Sequence, residues 1–210
     1  YGNAFMLRTD SDKKLDEFKK YSSIPIINGL SPSSHPTQVL SDIFTIQEIK
    51  KKSISKLKLC WIGDANNNMM NSLIEACIKF SVSLNIACPK NYQPNKALIS
   101  LIKKQKGKIK IFNKKEKAVK NSDVVMTDKI ISLNDKVNKK KKLKSFKNFK
   151  VDTKTMKLAK KDAIFLHCLP RGSEVTEEVF LGKQSKVWQQ ALNRVYVQKS
   201  ILLYCFGKLR

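Results

Sequence analysis

Apolar residues along this chain follow two rhythms. Short unbroken runs suit buried strands, and residues spaced three and four apart suit helices. Residues 4–7 form the first run, ending at Arg8, and the cluster Thr9-Asp10-Ser11-Asp12 supplies a helix start for a segment reaching Tyr21. Leu15 and Phe18 give that segment its apolar stripe. Ile24-Pro25-Ile26-Ile27 reads as a second strand, closed by the turn pair Asn28-Gly29. Beyond Ser31-Pro32-Ser33-Ser34 comes His35-Pro36-Thr37-Gln38, where Pro36 suits a first helical position and Val39, Leu40, Ile43 and Ile46 recur at helical spacing. His35 and Gln38 then share a face at a helix N-terminus, where free N–H groups favour an anion.

A Lys/Ser-rich connector at 50–58 leads into Leu59-Cys60-Trp61-Ile62-Gly63-Asp64, a strand entering a glycine turn. From there strand and helix alternate. Helices are expected at 66–80, 97–104 and 114–120, and strands at 84–88, 109–112, 124–127 and 163–168. Acidic residues in the stretch 174–180 suit a helix start, and a last helix is expected over 193–206, stopped by Gly207, with Arg194 at its N-terminal end. Such alternation predicts an α/β fold, a doubly wound parallel sheet with helices on both faces.

Composition narrows the function more than the fold. The 210 residues suffice for one large domain, or one domain and part of another. Lys and Arg number 42 against 17 Asp and Glu, a formal charge of +25. Lysines recur on nearly every polar segment, whereas Arg, the better reader of phosphates and bases, stands only at Arg8, Arg171, Arg194 and Arg210. A solvated lysine-rich surface therefore explains the charge, and no nucleic acid partner is expected. The run Lys139 to Lys142 with Lys144 is read the same way, as solvated and mobile. No run of 18 apolar residues exists, so no membrane span is expected. A chain opening at Tyr1 is read as a processed product or a fragment, whose targeting signal would lie upstream. Cys60, Cys77, Cys88, Cys168 and Cys205 form no CxxC or paired framework, which points to a reducing, intracellular setting.

Most of those thiols lie in apolar contexts; Cys168 sits where an apolar strand runs into a polar turn, Phe165-Leu166-His167-Cys168-Leu169-Pro170-Arg171-Gly172. Ligands of open α/β sheets bind beyond the carboxyl ends of strands, which places His167, Cys168 and the Leu169 backbone in a candidate site. Gly63-Asp64-Ala65-Asn66 lacks the GxGxxG spacing, so a dinucleotide is not expected. The asparagines that follow favour caps and turns.

The spelling His167-Cys168-Leu169-Pro170-Arg171 resembles the His-Cys-Leu-Pro-Arg motif of ornithine carbamoyltransferases. Separated stretches resemble the same family in the same order: Arg8, His35-Pro36-Thr37-Gln38 with Leu40-Ser41-Asp42, Gly63-Asp64-Ala65-Asn66-Asn67, Asp128 with Ser132, and Asn193-Arg194. The family's Asp-x-x-x-Ser-Met-Gly loop has Leu133 and Asn134 in place of Met and Gly, and its phosphate-binding Ser-x-Arg-Thr-Arg is absent from these residues.

The resemblance implies a carbamoyltransferase taking carbamoyl phosphate and L-ornithine, without metal or organic cofactor, as a homotrimer in mitochondrion or cytoplasm. It assigns Arg8, His35, Gln38, Cys168, Leu169 and Arg194 to carbamoyl phosphate, with Arg8, His35, Cys168 and Arg194 catalytic, and Asn67, Asp128, Ser132 and Leu133 to ornithine. Cys168 would position substrates by hydrogen bonding and form no covalent intermediate. The domain order implied is the end of a carbamoyl-phosphate domain at 1–45, an ornithine domain at 46–192 and a C-terminal helix at 193–210. Without the phosphate loop the segment alone is expected to turn over little or not at all. The alternative is a degenerate carbamoyltransferase-like domain that binds an amino acid or a partner chain.

Overall fold

A computed structural model describes residues 2–131 and 138–209. The elements in chain order are β1 (Phe5–Arg8), α1 (Asp12–Tyr21), β2 (Ile26–Leu30), α2 (Pro36–Lys50), β3 (Lys58–Ile62), α3 (Asn68–Lys79), β4 (Ser83–Ala87), α4 (Lys96–Lys104), β5 (Ile109–Phe112), α5 (Lys115–Val119), β6 (Val124–Thr127), α6 (Lys139–Ser145), α7 (Thr153–Leu158), β7 (Ile164–His167), α8 (Glu177–Phe180) and α9 (Val187–Cys205).

Two parallel sheets result. β1 pairs with β2, and a five-stranded sheet has the order β5-β4-β3-β6-β7. In the larger sheet successive side chains point to opposite faces. Leu59 and Trp61 of β3, Leu84 and Ile86 of β4, Val124 and Met126 of β6 and Leu166 of β7 pack against Val39, Ile43 and Ile46 of α2 and Met70, Leu73 and Ile74 of α3. Cys60, Ile62, Val125 and Phe165 face the other way, onto Ala118, Val119, Met156, Val179 and Phe180. Burial on both faces is why these strands read as continuous apolar runs rather than alternating ones. Chain order reverses between β3 and β6, so the crevice beyond their carboxyl ends is the switch point where such sheets take ligands.

Several expectations are corrected. Asn28-Gly29 does not end a strand; both residues lie inside β2, which runs parallel to β1 with α1 as the crossover. Gly29 is needed for close approach, since a Cβ there would come within 3.0 Å of Met6 Cγ and 3.2 Å of the Leu7 carbonyl oxygen. Leu40 is not core, being 40% exposed. The final helix begins at Val187, not Asn193, and Arg194 lies about two turns inside it. Its inner face carries Val187, Gln190 and Asn193, so polar residues occupy buried positions and hide the apolar period. Glu174 belongs to no helix; α8 starts at Glu177 behind Thr176. The lysine run is not wholly solvated, because it forms α6 and buries Lys142.

Candidate active site

The site gathers at the carboxyl ends of β3, β6 and β7, facing the N-terminus of α2. Pro36 fixes the first turn of α2 and leaves His35 as its N-cap residue, whose backbone N–H donates to Ser72 Oγ at 2.9 Å. The His35 ring is buried, and its Nδ1 has no partner among the described residues. Burial, then the charges of Arg194 and Arg8, push its pKa down to about 4. His35 is thus a neutral imidazole in a cationic neighbourhood, with one open ring nitrogen.

Gln38, one turn further along, donates from Nε2 to Asp42 Oδ1 at 2.8 Å and accepts from Arg194 Nη1. Asp42 Oδ1 also accepts from Gln190 Nε2 at 2.7 Å, and Gln190 Oε1 accepts from the His167 backbone N–H at 3.0 Å. Asn193 donates to Thr45 Oγ1 at 3.0 Å and Glu48 Oε2 at 2.8 Å. The buried polar face of α9 therefore ties the end of β7 to α2, on the same helix from which Arg194 reaches Gln38.

Cys168 follows directly on β7. Its half-buried thiol lies 3.9 Å from Met69 Sδ. Burial pushes the thiol well above its ordinary range, and Asp128 and Asp42 push the same way, while Arg194 opposes. A thiol held protonated is a hydrogen-bond donor rather than a nucleophile. Cys168 thus feels the charges of Arg194, Asp128 and Asp42. Leu169 is 45% exposed, and its peptide to Pro170 is cis.

Asp128 leaves β6 and accepts from Lys129 N at 2.7 Å. Burial raises its carboxyl to about 6; the Lys129 hydrogen bond and His167 pull it down, and Glu174 and Asp64 push it up. Asn67 caps α3, its Oδ1 accepting from Met70 N at 2.8 Å and its Nδ2 donating to the Asp64 carbonyl at 3.1 Å. Its amide is engaged with its own turn, as the preference of Asn for caps predicts. Ser132, Leu133 and Asn134 lie outside the described residues. Arg8, at the exposed end of β1, joins the cluster through its charge effect on His35 and Arg194.

Sequence reasoning missed Glu174, Gln190 and Lys142. Glu174 is 4% exposed and its Oε1 accepts from His167 Nε2 at 2.8 Å. Lys142 reaches Asp64 Oδ2 at 2.6 Å, and Asp64 Oδ1 accepts from Asn66 N at 2.9 Å, so the ion pair braces the glycine turn after β3. The available signal was weak: Gln190 and Asn193, three apart, read as a polar stripe rather than an inner face. Among the described residues no cluster of His, Cys, Asp and Glu suits a metal. No helix among them is long and apolar enough to cross a membrane.

With this geometry in place, comparison with known proteins is decisive. Residues 55–205 match the aspartate/ornithine carbamoyltransferase Asp/Orn binding domain, and residues 1–48 match the carbamoyl-P binding domain of the same enzymes. The ornithine carbamoyltransferase of Caldicellulosiruptor saccharolyticus is 43% identical over 217 residues, covering 100% of this chain and 70% of that relative. The crystal structure of an anabolic ornithine carbamoyltransferase from Campylobacter jejuni superposes with a TM-score of 0.91 at 40% identity, over 98% of this chain and 70% of the other. A mitochondrial ornithine carbamoyltransferase from Coccidioides immitis gives 0.86 at 32% identity, over 98% and 67%. The chain therefore belongs to the ornithine carbamoyltransferase family, spanning its Asp/Orn-binding domain and part of its carbamoyl-phosphate-binding domain.

Proposed function

We propose that this chain carries the greater part of a site that moves the carbamoyl group of carbamoyl phosphate to the side-chain amine of L-ornithine, giving L-citrulline and phosphate. The observation that carries this reading is that Cys168 stands in the fields of both a cationic group, Arg194 with Arg8 beside the neutral His35, and an anionic one, Asp128. The first suits a phosphate and a carbonyl to be polarised; the second suits a substrate amine.

In the reaction the neutral δ-amine attacks the carbamoyl carbon, the C–N bond forms, and the bond from that carbon to the phosphate oxygen breaks. The amine loses a proton and phosphate carries away the electron pair. Arginine forks stabilise the charge that develops on phosphate. His35, neutral with an open Nδ1, suits the carbamoyl group without adding a third cation beside Arg8 and Arg194. Gln38 keeps a second Nε2–H beside the one given to Asp42, and that donor suits the same group. Cys168 donates from its thiol, Leu169 offers its backbone carbonyl, and Asp128, Asn67, Ser132 and Leu133 hold the amino acid. Holding both substrates in line supplies much of the acceleration, up to roughly 7–11 kcal/mol in the best cases.

Because Ser-x-Arg-Thr-Arg is absent from these residues, turnover by them alone is proposed to be slight. Full activity, a homotrimeric assembly and a place in arginine metabolism belong to the same proposal. Calorimetric titration with L-ornithine, with and without carbamoyl phosphate, tests it. Heat with ornithine supports an intact amino-acid site. A folded chain silent to both ligands favours the degenerate binding domain instead.

A further inference from the structure

Glu174 is a buried charged group that the reaction above does not use. Its backbone is pinned from behind, since Val151 N donates to the Glu174 carbonyl at 2.8 Å and Thr176 N to the Val151 carbonyl at 3.0 Å. Its carboxylate turns inward to three donors on separate segments. Oε1 accepts from His167 Nε2 at the end of β7, at 2.8 Å, and from Gly172 N in the following turn, at 2.5 Å. Oε2 meets Ile130 N, two residues after Asp128, at 3.5 Å. Gly172 is shaped to this fold-back, because a Cβ there would lie 2.6 Å from Oε2. The His167 ring is fixed on its other sides, with Phe165 and Phe180 at centroid distances of 6.3 and 6.1 Å and Nδ1 against the Cys168 carbonyl. Arg171 stacks over Phe180 at 4.9 Å, which completes the brace around the turn.

We propose that Glu174 is a positioning residue. Its carboxylate fastens the turn carrying Cys168 and Leu169 to the segment leaving β6, and so sets where Asp128 stands for the substrate amino group. This rests on the ornithine reading above for its ligand, but its geometry is independent of it. A carboxylate has lone pairs enough for all three donors, and charge-assisted bonds hold them more firmly than neutral ones.

The test uses the full chain, labelled with 15N. His35 and His167 are its two histidines, so two sets of ring signals suffice. In Glu174→Gln the His167 ring nitrogens shift while those of His35 stay. Ile130 N–H exchanges about tenfold faster or more, and L-ornithine affinity falls by about tenfold or more. Glu178→Gln, on the exposed face of α8, changes none of these. Should Glu174→Gln not fold, Gly172→Ala displaces the same carboxylate without removing its charge and is expected to give the same signature. Unchanged His167 and Ile130 signals overturn the proposal, as does equal ornithine affinity where the parent chain binds. A parent chain silent to ornithine removes the ornithine reading alone, and the ring and amide signals then decide the role of Glu174.

Discussion

Lys142 sits inside the most basic run of the chain, yet it is buried with its ammonium 2.6 Å from Asp64 and 5.7 Å from the Tyr92 ring centroid. A long apolar stem and a charged end let one lysine of such a run turn inward while its neighbours stay in water. The pair adds little net stability over an apolar replacement, but removing one member strands a buried charge. Lys142→Ala is expected to cost about 3 kcal/mol, read from urea denaturation midpoints. Adding Asp64→Asn, which keeps an acceptor for Asn66 N, is expected to recover much of the loss. A single-variant cost near zero would remove Lys142 from the structure of the glycine turn. At this scale the cap at Asn67 was legible in the sequence, because capping is local, and Lys142 was not, because its partner lies far away along the chain.

Elements show the same division. Strand positions in the large sheet follow directly from their apolar runs, since burial on both faces leaves a continuous signal. β2 is the exception: Asn28-Gly29 spells a turn, and only the neighbouring strand makes the glycine a necessity of packing. Gly29→Val is expected to force β1 and β2 apart and lower stability by about 1–3 kcal/mol, with earlier melting of the segment bearing Arg8 seen by amide exchange. Unchanged protection across β1 would refute that account. α9 is the other exception, its beginning concealed because Gln190 and Asn193 are buried by hydrogen bonding rather than by hydrophobicity.

Across the whole molecule, buried acids give stability an unusual pH dependence. Burial raises both Asp42 and Asp128 from 3.8 to about 6. The folded state then binds these protons more tightly than the unfolded chain. Their contribution is fully present below pH 3.8 and is lost as pH rises through about 6. Asp42→Asn keeps an oxygen for Gln38 and Gln190 and removes the titration. Relative to the parent it is expected to gain up to about 3 kcal/mol between pH 4 and pH 7.5, measured from paired urea midpoints. A difference that stays constant with pH would sink this.

The sequence by itself determined the α/β class, the order of strands and of most helices, α6 and α7 excepted, and the stretches that resemble the family, because apolar period, caps and contiguous motifs are short-range signals. It also marked out His35, Gln38, Asp128, Cys168 and Arg194. Only the tertiary structure decided that Gln190 joins β7 to α2, that Glu174 turns back onto His167, and that Lys142 is buried. The Gln190 and Lys142 contacts depend on partners brought together by the parallel crossovers, and Glu174, though only seven residues from His167, is turned back by its backbone bond to the distant Val151, which no local pattern encodes.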